Sequence, residues 1–408
     1  MKIILATSGS RGDVQPMIAI CLALNAAGHD AILSGPPEKS SWAAKLGCPY
    51  LGFGRDVSAF IDEFPSAVNL RAALAFVSFV RKELGAQFRS LPDIIRTADL
   101  VIGSSLMFGL ASVAEALDIK YRYIAFTPQV FPSQYHPFLT IQTHTLPFFI
   151  NKLSWKTAAL LDQFNITFLI NQYRKKQGLD PIVNAWDHIL GEDTIVASDK
   201  EIATVPKDVK KTWVQTGYPH LSLPGEPAPE LDRFLEIGTR PVYAGFGSMP
   251  VKDQNRAIPL LIKAAGNLGR RIILPRLRGL TTTAAASGNN VFFIRDYPHL
   301  RLFPRMDAVI HHGGAGTTAS AAVSGVPQVI VPHILDQYYH GRKFFLSLLG
   351  PRPIPRSKLT VSRLTAALEQ CLYNPDIRQA AKKTGQAINP EKPLGLIVEA
   401  IENSLNRS

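Results

Sequence analysis

The run His311-His312-Gly313-Gly314-Ala315-Gly316-Thr317-Thr318 assembles what is needed to hold an anion. Glycines let the backbone approach a bulky ligand, and a helix opening behind them presents unpaired N–H groups and the positive end of its dipole. Thr317 and Thr318 add hydroxyl donors and His312 a ring N–H. His311, pointing to the other side of its strand, reads as a core histidine. A glycine turn alone often does no more than join strand to helix, so its surroundings decide. Gly325-Val326-Pro327, an apolar run from Gln328 to Val331 and then Asp336-Gln337 place a carboxylate and an amide one strand–helix unit beyond the cradle. Groups that recognise hydroxyls beside a diphosphate site suit a nucleotide sugar, although Asp336 has a rival role in capping the helix after it.

These residues need strands to carry them. Asp307 to Ile310 reads as a buried parallel strand and Ala319 to Ser324 as the start of the helix behind the cradle. At the chain's start, Lys2 to Ala6 is a strand, Ser8 to Asp13 a loop, Val14 to Ala27 a helix with Pro16 in its first turn, and Ala31 to Leu33 the next strand. Leu100 to Ser104, a helix through Ala116, and Arg122 to Phe126 continue the alternation. Proline-rich residues 218–229 mark a linker, after which the pattern restarts. Pro241 to Gly245 is a strand, Phe246 to Met249 a glycine turn, Asn255 to Leu268 a helix and Arg271 to Leu274 a strand. Two doubly wound α/β domains facing each other across a cleft are the expected architecture, with residues 1–217 in the first and 230–385 in the second.

The opening loop lacks the G-x-G-x-x-G spacing, and the second strand ends Leu33-Ser34-Gly35 with no acid to hold a ribose, which argues against a nicotinamide cofactor. Neither glycine loop carries the Gly-Lys-Ser/Thr ending of a P-loop. Asp13, just before a helix, reads either as a cap for backbone N–H groups or as a base.

Arg295-Asp296-Tyr297-Pro298, Leu302-Phe303-Pro304, His311 to Thr318, Gly325-Val326-Pro327 and Asp336-Gln337 together resemble the donor-binding region of inverting, nucleotide-sugar-dependent glycosyltransferases of the two-domain type. The likeness is to the sterol, glycolipid and antibiotic branch of the UDP-glycosyltransferase family, and Gly9 to Pro16 looks like the N-terminal signature of that branch. The resemblance implies a GT-B fold of two Rossmann-like domains, with residues 386–408 crossing back to brace the first. It implies Asp13 as catalytic base, and Ser10, Gly12, Ser248, Tyr297, His312, Gly314, Ala315, Gly316, Thr317, Thr318, Asp336 and Gln337 as donor-binding residues. No metal and no cofactor are expected; the nucleotide sugar is a co-substrate. Plant relatives place a tryptophan before the proline and use a histidine base, whereas this chain has Asp296-Tyr297-Pro298 and an aspartate. UDP-glucose is the expected donor and a dTDP-deoxysugar the alternative. An epimerase acting on the nucleotide sugar, or a binding protein without catalysis, are the rival readings on the same fold.

Thr127 to Phe149 is too irregular for a helix and too apolar for an ordinary loop, so Phe131, Tyr135 and Phe138 are candidate acceptor contacts. The acceptor class expected is an apolar alcohol such as a sterol, lipid, polyketide or phenol. Trp155 to Tyr173 reads as one amphipathic, mildly basic helix that closes the domain or touches a membrane. At 408 residues and 46% hydrophobic content, the chain has material for two cores. Its apolar runs fall short of a bilayer span, and Cys21, Cys48 and Cys371 lack disulfide or metal spacing, so a cytoplasmic protein is expected. The formal charge of +12 is scattered, without a nucleic-acid-binding module, and reads as solvated surface charge; transient attraction to anionic lipid is the alternative if the acceptor is a membrane lipid.

Overall fold

The computed structural model describes residues 1–55, 70–223, 228–249, 251–276 and 290–405. They form two parallel sheets. The first has the order β3-β2-β1-β4-β5-β6-β7, with β1 Lys2–Ser8, β2 Asp30–Gly35, β3 Tyr50–Gly52, β4 Leu100–Ser105, β5 Lys120–Ala125, β6 Asp193–Val196 and β7 Thr212–Gln215. The second has the order β10-β9-β8-β11-β12, with β8 Val242–Gly245, β9 Ile272–Pro275, β10 Val291–Ile294, β11 Ala308–His311 and β12 Gln328–Ile330. Continuous apolar strands are what such sheets require, because helices cover both faces. Ile3, Leu5, Val101 and Ile102 in one sheet, and Val242, Val309 and Val329 in the other, are fully buried.

The strand order reverses between β1 and β4 in the first sheet and between β8 and β11 in the second. Loops leaving two such strands diverge to opposite faces and open a crevice at the carboxyl ends. Asp13 follows β1, Ser105 ends β4, Ser248 follows β8 and His312 follows β11. Both crevices therefore carry candidate residues, and the domains turn them toward each other. Between them lies one buried cluster, with Ile202 and Tyr218 from the first domain against Ala319, Ala322, Tyr339 and Phe344 from the second.

Three local details differ from expectation. The first helix runs Arg11–Ala26 with Ser10 as its N-cap, so Pro16 lies inside it, where its ring forfeits one backbone hydrogen bond. The cradle helix starts at Ala315, four residues before Ala319, because Gly314 takes the extended conformation of an N-cap. The single helix expected over Trp155 to Tyr173 is two, Phe148–Asp162 and Ile166–Lys176. Asp162 makes the break: its carboxylate accepts the Ile166 N–H at 3.3 Å and the Thr167 hydroxyl at 2.8 Å, satisfying the second helix's first turn. Of the expected linker, residues 224–227 lie outside the described residues.

The helix Lys392–Leu405 packs into the first domain. Its Ile397 and Ile401 are fully buried among Ile3, Leu5, Val14 and Ile18. The Arg122 guanidinium donates to the Ala400 carbonyl at 2.7 Å, and Arg122 also pairs with Asp193 at 2.9 Å. Among the described residues, no helix is long and apolar enough to cross a membrane. Ile401→Ala opens a cavity in the first domain's core, and the expected loss is about 2–5 kcal/mol. Urea unfolding followed by the fluorescence of the chain's four tryptophans, Trp42, Trp155, Trp186 and Trp213, all in the first domain, checks it; an unchanged midpoint would show that the helix is not part of that core.

Candidate active site

Asp13 is the third residue of its helix. The Ser10 N–H donates to Asp13 Oδ2 at 2.7 Å and the Ser105 hydroxyl to Oδ1 at 2.7 Å, while the Ser10 side chain accepts the Gly12 N–H at 3.3 Å. Asp13 and Ser10 thus form a reciprocal capping box, so both readings of Asp13 hold part of the truth: it caps, yet through a position that leaves it facing the cleft. Burial pushes its carboxyl above the usual aspartate range, and the bonds from Ser105 and Ser10 oppose that only partly.

Ser105 was invisible in the sequence. It has φ +53°, a left-handed backbone that a serine adopts at a cost, and the Tyr123 hydroxyl holds its carbonyl at 3.0 Å. No motif announces a serine at a strand end. The strained turn aims its hydroxyl at Asp13, and β4 supplies the rigid support.

On the other side, the helix Ala315–Val323 has no side-chain cap, so the N–H groups of Ala315, Gly316 and Thr317 stay available. Gly313 has φ +92°, and a Cβ there would lie 2.9 Å from Ile330. His311 is structural: its Nδ1 accepts the Gly313 N–H at 3.1 Å and its Nε2 pairs with Gln328 Oε1 at 2.7 Å, which fixes the tautomer. The His312 ring sits between two glycines. A Cβ on Gly314 would be 2.4 Å from its Nε2, and one on Gly247, at φ +58°, would be 2.9 Å from its Cε1. Burial, with the neighbouring histidines adding to it, holds His312 well below the ordinary histidine range, so the ring is neutral at pH 7. Its buried Nδ1 has no hydrogen-bond partner among the described residues. Ser248 is exposed beside the ring's Gly247.

Asp336 opens its own helix after Leu335, whose φ of +47° is a second strained non-glycine backbone at the cleft. Burial raises its pKa, nearby His340 lowers it, and the charge of Asp13 raises it again, which places the two carboxylates within each other's field. His340, four residues on and so on the same helix face, donates from Nδ1 to the Gly313 carbonyl at 2.8 Å. That spacing was a readable signal that the sequence reading passed over. Arg11 reaches across to Asp296 at 2.7 Å.

Not every candidate faces the cleft. Gln337 is buried, and its Oε1 accepts the N–H groups of His333 at 2.8 Å and Ile334 at 3.1 Å while its amide nitrogen donates to Met249 Sδ at 4.0 Å, so it shapes the loop before Asp336. Thr318 is turned inward, lining a cavity of about 10 Å³ with Phe126, Asp199, Tyr218 and His340. Tyr297 packs partly buried against the second domain's core. Phe131 lies in the core with Val80, Tyr123 and Val196 and offers an acceptor no surface, whereas Tyr135 is 46% exposed and Phe138 packs edge-on to Trp155. A wider groove of about 640 Å³ lies at the amino ends of β8, β11 and β12, lined by Arg240, Asp307, Pro327 and Lys382, and shares nothing with the cleft.

Tyr218, expected in a linker, belongs to the site. Its ring is buried at the seam and its hydroxyl approaches Gly316 so closely that a Cβ there would be 2.6 Å away. Burial, with the charges of Asp13 and Asp199 behind it, keeps the phenol protonated far above neutral pH. Asp199 anchors the same turn by accepting the Tyr218 N–H at 3.3 Å, and burial pushes it up to about 6.

Two parallel-sheet domains, with a base candidate on one and an uncapped helix N-terminus on the other, define a GT-B architecture. Solved structures agree: the glycosyltransferase VinC in complex with dTDP superposes with a TM-score of 0.73 at 18% identity over 100% of both chains. The calicheamicin glycosyltransferase CalG4 gives 0.74 at 18% identity over 100% of this chain and 98% of that one. Residues 260–400 match the model of the erythromycin biosynthesis protein CIII-like C-terminal domain. The vancomycin aglycone glucosyltransferase of Amycolatopsis orientalis is 32% identical over 387 residues, covering 91% of this chain and 90% of that protein. A sterol 3-beta-glucosyltransferase of Arabidopsis thaliana is 28% identical over 429 residues, covering 99% of this chain and 68% of that protein. The chain belongs to the UDP-glycosyltransferase family, within the branch that holds the sterol and antibiotic glycosyltransferases.

Gly316→Ala forces the new methyl into the Tyr218 hydroxyl, and overpacking of this kind costs about 1–3 kcal/mol. Tyr218→Phe in the same chain is expected to restore most of the loss in a urea titration. Failure of the double variant to recover would mean that Gly316 serves something other than this contact.

Proposed function

We propose that the protein transfers a hexose from a nucleoside diphosphate sugar to a hydroxyl of an apolar acceptor, with inversion at the anomeric carbon. UDP-glucose is the donor assigned, and a dTDP-sugar is the alternative, since relatives include a dTDP-epi-vancosaminyltransferase of Amycolatopsis orientalis. Support for the reading comes from one observation above the others: Asp13 on the first domain lies close enough to Asp336 on the second for its charge to raise the Asp336 pKa across the cleft.

In this reading the diphosphate lies against the N–H groups of Ala315 to Thr317, with the neutral His312 ring and the Ser248 hydroxyl as further donors. Asp336 accepts from sugar hydroxyls. The acceptor enters from the side of Tyr135 and Phe138. Asp13 takes the proton of the acceptor hydroxyl as its oxygen bonds to the anomeric carbon, and the bond from that carbon to the phosphate oxygen breaks on the opposite face. The electron pair leaves with the nucleoside diphosphate, whose growing charge is met by the helix N-terminus. Such preorganised donors do the work of charge neutralisation without a cofactor. Ser105 holds the carboxylate of the base in place through its bond to Oδ1.

General-base assistance is typically worth about 10²–10⁴-fold, so Asp13→Asn should lower turnover by that order while nucleotide binding, measured by calorimetry, stays intact. Because the ionised carboxylate is the base and burial raises its pKa, activity falls as pH drops through that raised value. Stability has the opposite sign. The folded state holds the Asp13 proton more tightly than the unfolded chain, so the stabilisation present in acid is lost as pH rises through the raised pKa. Asp13→Asn should therefore melt no lower than the parent at pH 7, and a stable variant with full turnover would remove Asp13 from the mechanism. The anomeric configuration of the product, read by NMR from incubations with sterol, polyketide, phenolic and lipid alcohols, tests inversion and acceptor class together.

A further inference from the structure

The helices Phe148–Asp162 and Ile166–Lys176 carry an outward face that the fold does not use. Phe149, Leu153, Leu160 and Phe164 are 69%, 55%, 65% and 76% exposed, and Leu161 and Phe168 extend the surface at 66% and 51%. Residues 149, 153, 156 and 160 follow one another at three- and four-residue steps, so they form one stripe on the first helix, with Lys156 inside it and Lys152 beside it, and Phe164 is exposed in the turn that follows. The opposite face of the first helix is fully engaged. Asn151 donates to the Gln134 carbonyl at 2.9 Å, Ser154 accepts the Phe138 N–H at 2.9 Å, and the Trp155 indole donates to the His136 carbonyl at 3.1 Å. The apolar stripe is thus not left over from packing the loop beneath it.

Charge says what covers it. Residues 148–176 contain the bases Lys152, Lys156, Arg174, Lys175 and Lys176 and a single acid, Asp162. Asp162 is spent on Ile166 and Thr167, and Arg174 is buried against Glu115 at 2.6 Å. What remains toward solvent is apolar side chains interleaved with lysines. A second copy of the chain would bring those lysines onto themselves, within a protein whose net charge is already +12. An anionic lipid surface satisfies both components at once, since phenylalanine and leucine enter the acyl boundary while lysines meet phosphate.

We propose that this face docks the protein on the surface of an anionic phospholipid bilayer. The two helices lie in the interface plane. The Tyr135 and Phe148 rings meet edge-on with centroids 5.3 Å apart, so the docked face borders the stretch assigned to the acceptor. Docking itself does not depend on that assignment, because it requires neither donor nor acceptor.

The test is co-sedimentation of the full chain with sucrose-loaded vesicles of phosphatidylcholine alone and of phosphatidylcholine with phosphatidylglycerol, in the absence of nucleotide. Binding to the anionic vesicles is expected, weakened by added salt, and reduced about tenfold or more in both the Leu160→Glu/Phe164→Glu and the Lys152→Glu/Lys156→Glu variants. All four side chains are solvent-facing, so the variants should keep the parent's melting temperature and its affinity for nucleoside diphosphate. No binding to anionic vesicles, or equal binding by the parent and the Leu160→Glu/Phe164→Glu variant, overturns the proposal. So does a concentration-dependent dimer in sedimentation velocity that this variant abolishes without any vesicle binding. Loss of glycosyl transfer leaves vesicle binding untouched, so the two failures are distinguishable.

Discussion

A carboxylate partly withdrawn from water, within the field of a second one, sets the terms for the rest of this molecule. Asp13 is tolerable only because Ser10 and Ser105 donate to it, and those donors hold their places only because β1 and β4 are neighbours in a rigid sheet. Across the cleft the same economy recurs with opposite polarity. An uncapped helix end and a neutral His312 leave donors unsatisfied, and Gly313, Gly314 and Gly247 exist to let that ring and loop pack without side chains between them. Each half carries a local cost that becomes useful only when the other half faces it.

The seam that joins the halves is aromatic and tight. Tyr218 lies between Asp13 and Asp199 on one side and Gly316 on the other, and His136 meets the Tyr339 ring at 5.3 Å. Parts of this seam are polar and buried without hydrogen-bond partners among the described residues, among them Thr318 Oγ1, Asp199 Oδ2 and Tyr339 Oη. Unsatisfied buried groups weaken a packed interface.

How much of this the sequence disclosed follows from which interactions are local. Parallel strands buried on both faces are continuous apolar runs, so β1, β4, β8, β11 and β12 were readable to within a residue or two. The glycine cradle was readable because backbone proximity demands glycine whatever surrounds it. Direction was not. Thr318 and Gln337 sit in the expected motif but point inward, and Phe131 sits in an acceptor-like stretch but packs the core. The helix break at Asp162 was hidden because hydrophobic spacing continues across it while a side-chain bond ends the helix. Ser105 and Tyr218 take their roles from neighbours 92 and 98 residues distant, Asp13 and Gly316, and no single-segment pattern encodes such partners.

The helix Lys392–Leu405 has a consequence for how the chain acquires its shape. Ile397 and Ile401 complete the core around Ile3, Leu5 and Val14, so the domain synthesised first cannot close its interior until the last helix has been made. During translation the early strands must wait with an open flank while the other domain forms behind them. The order of assembly is thereby inverted: the half that begins the chain is the half that finishes last.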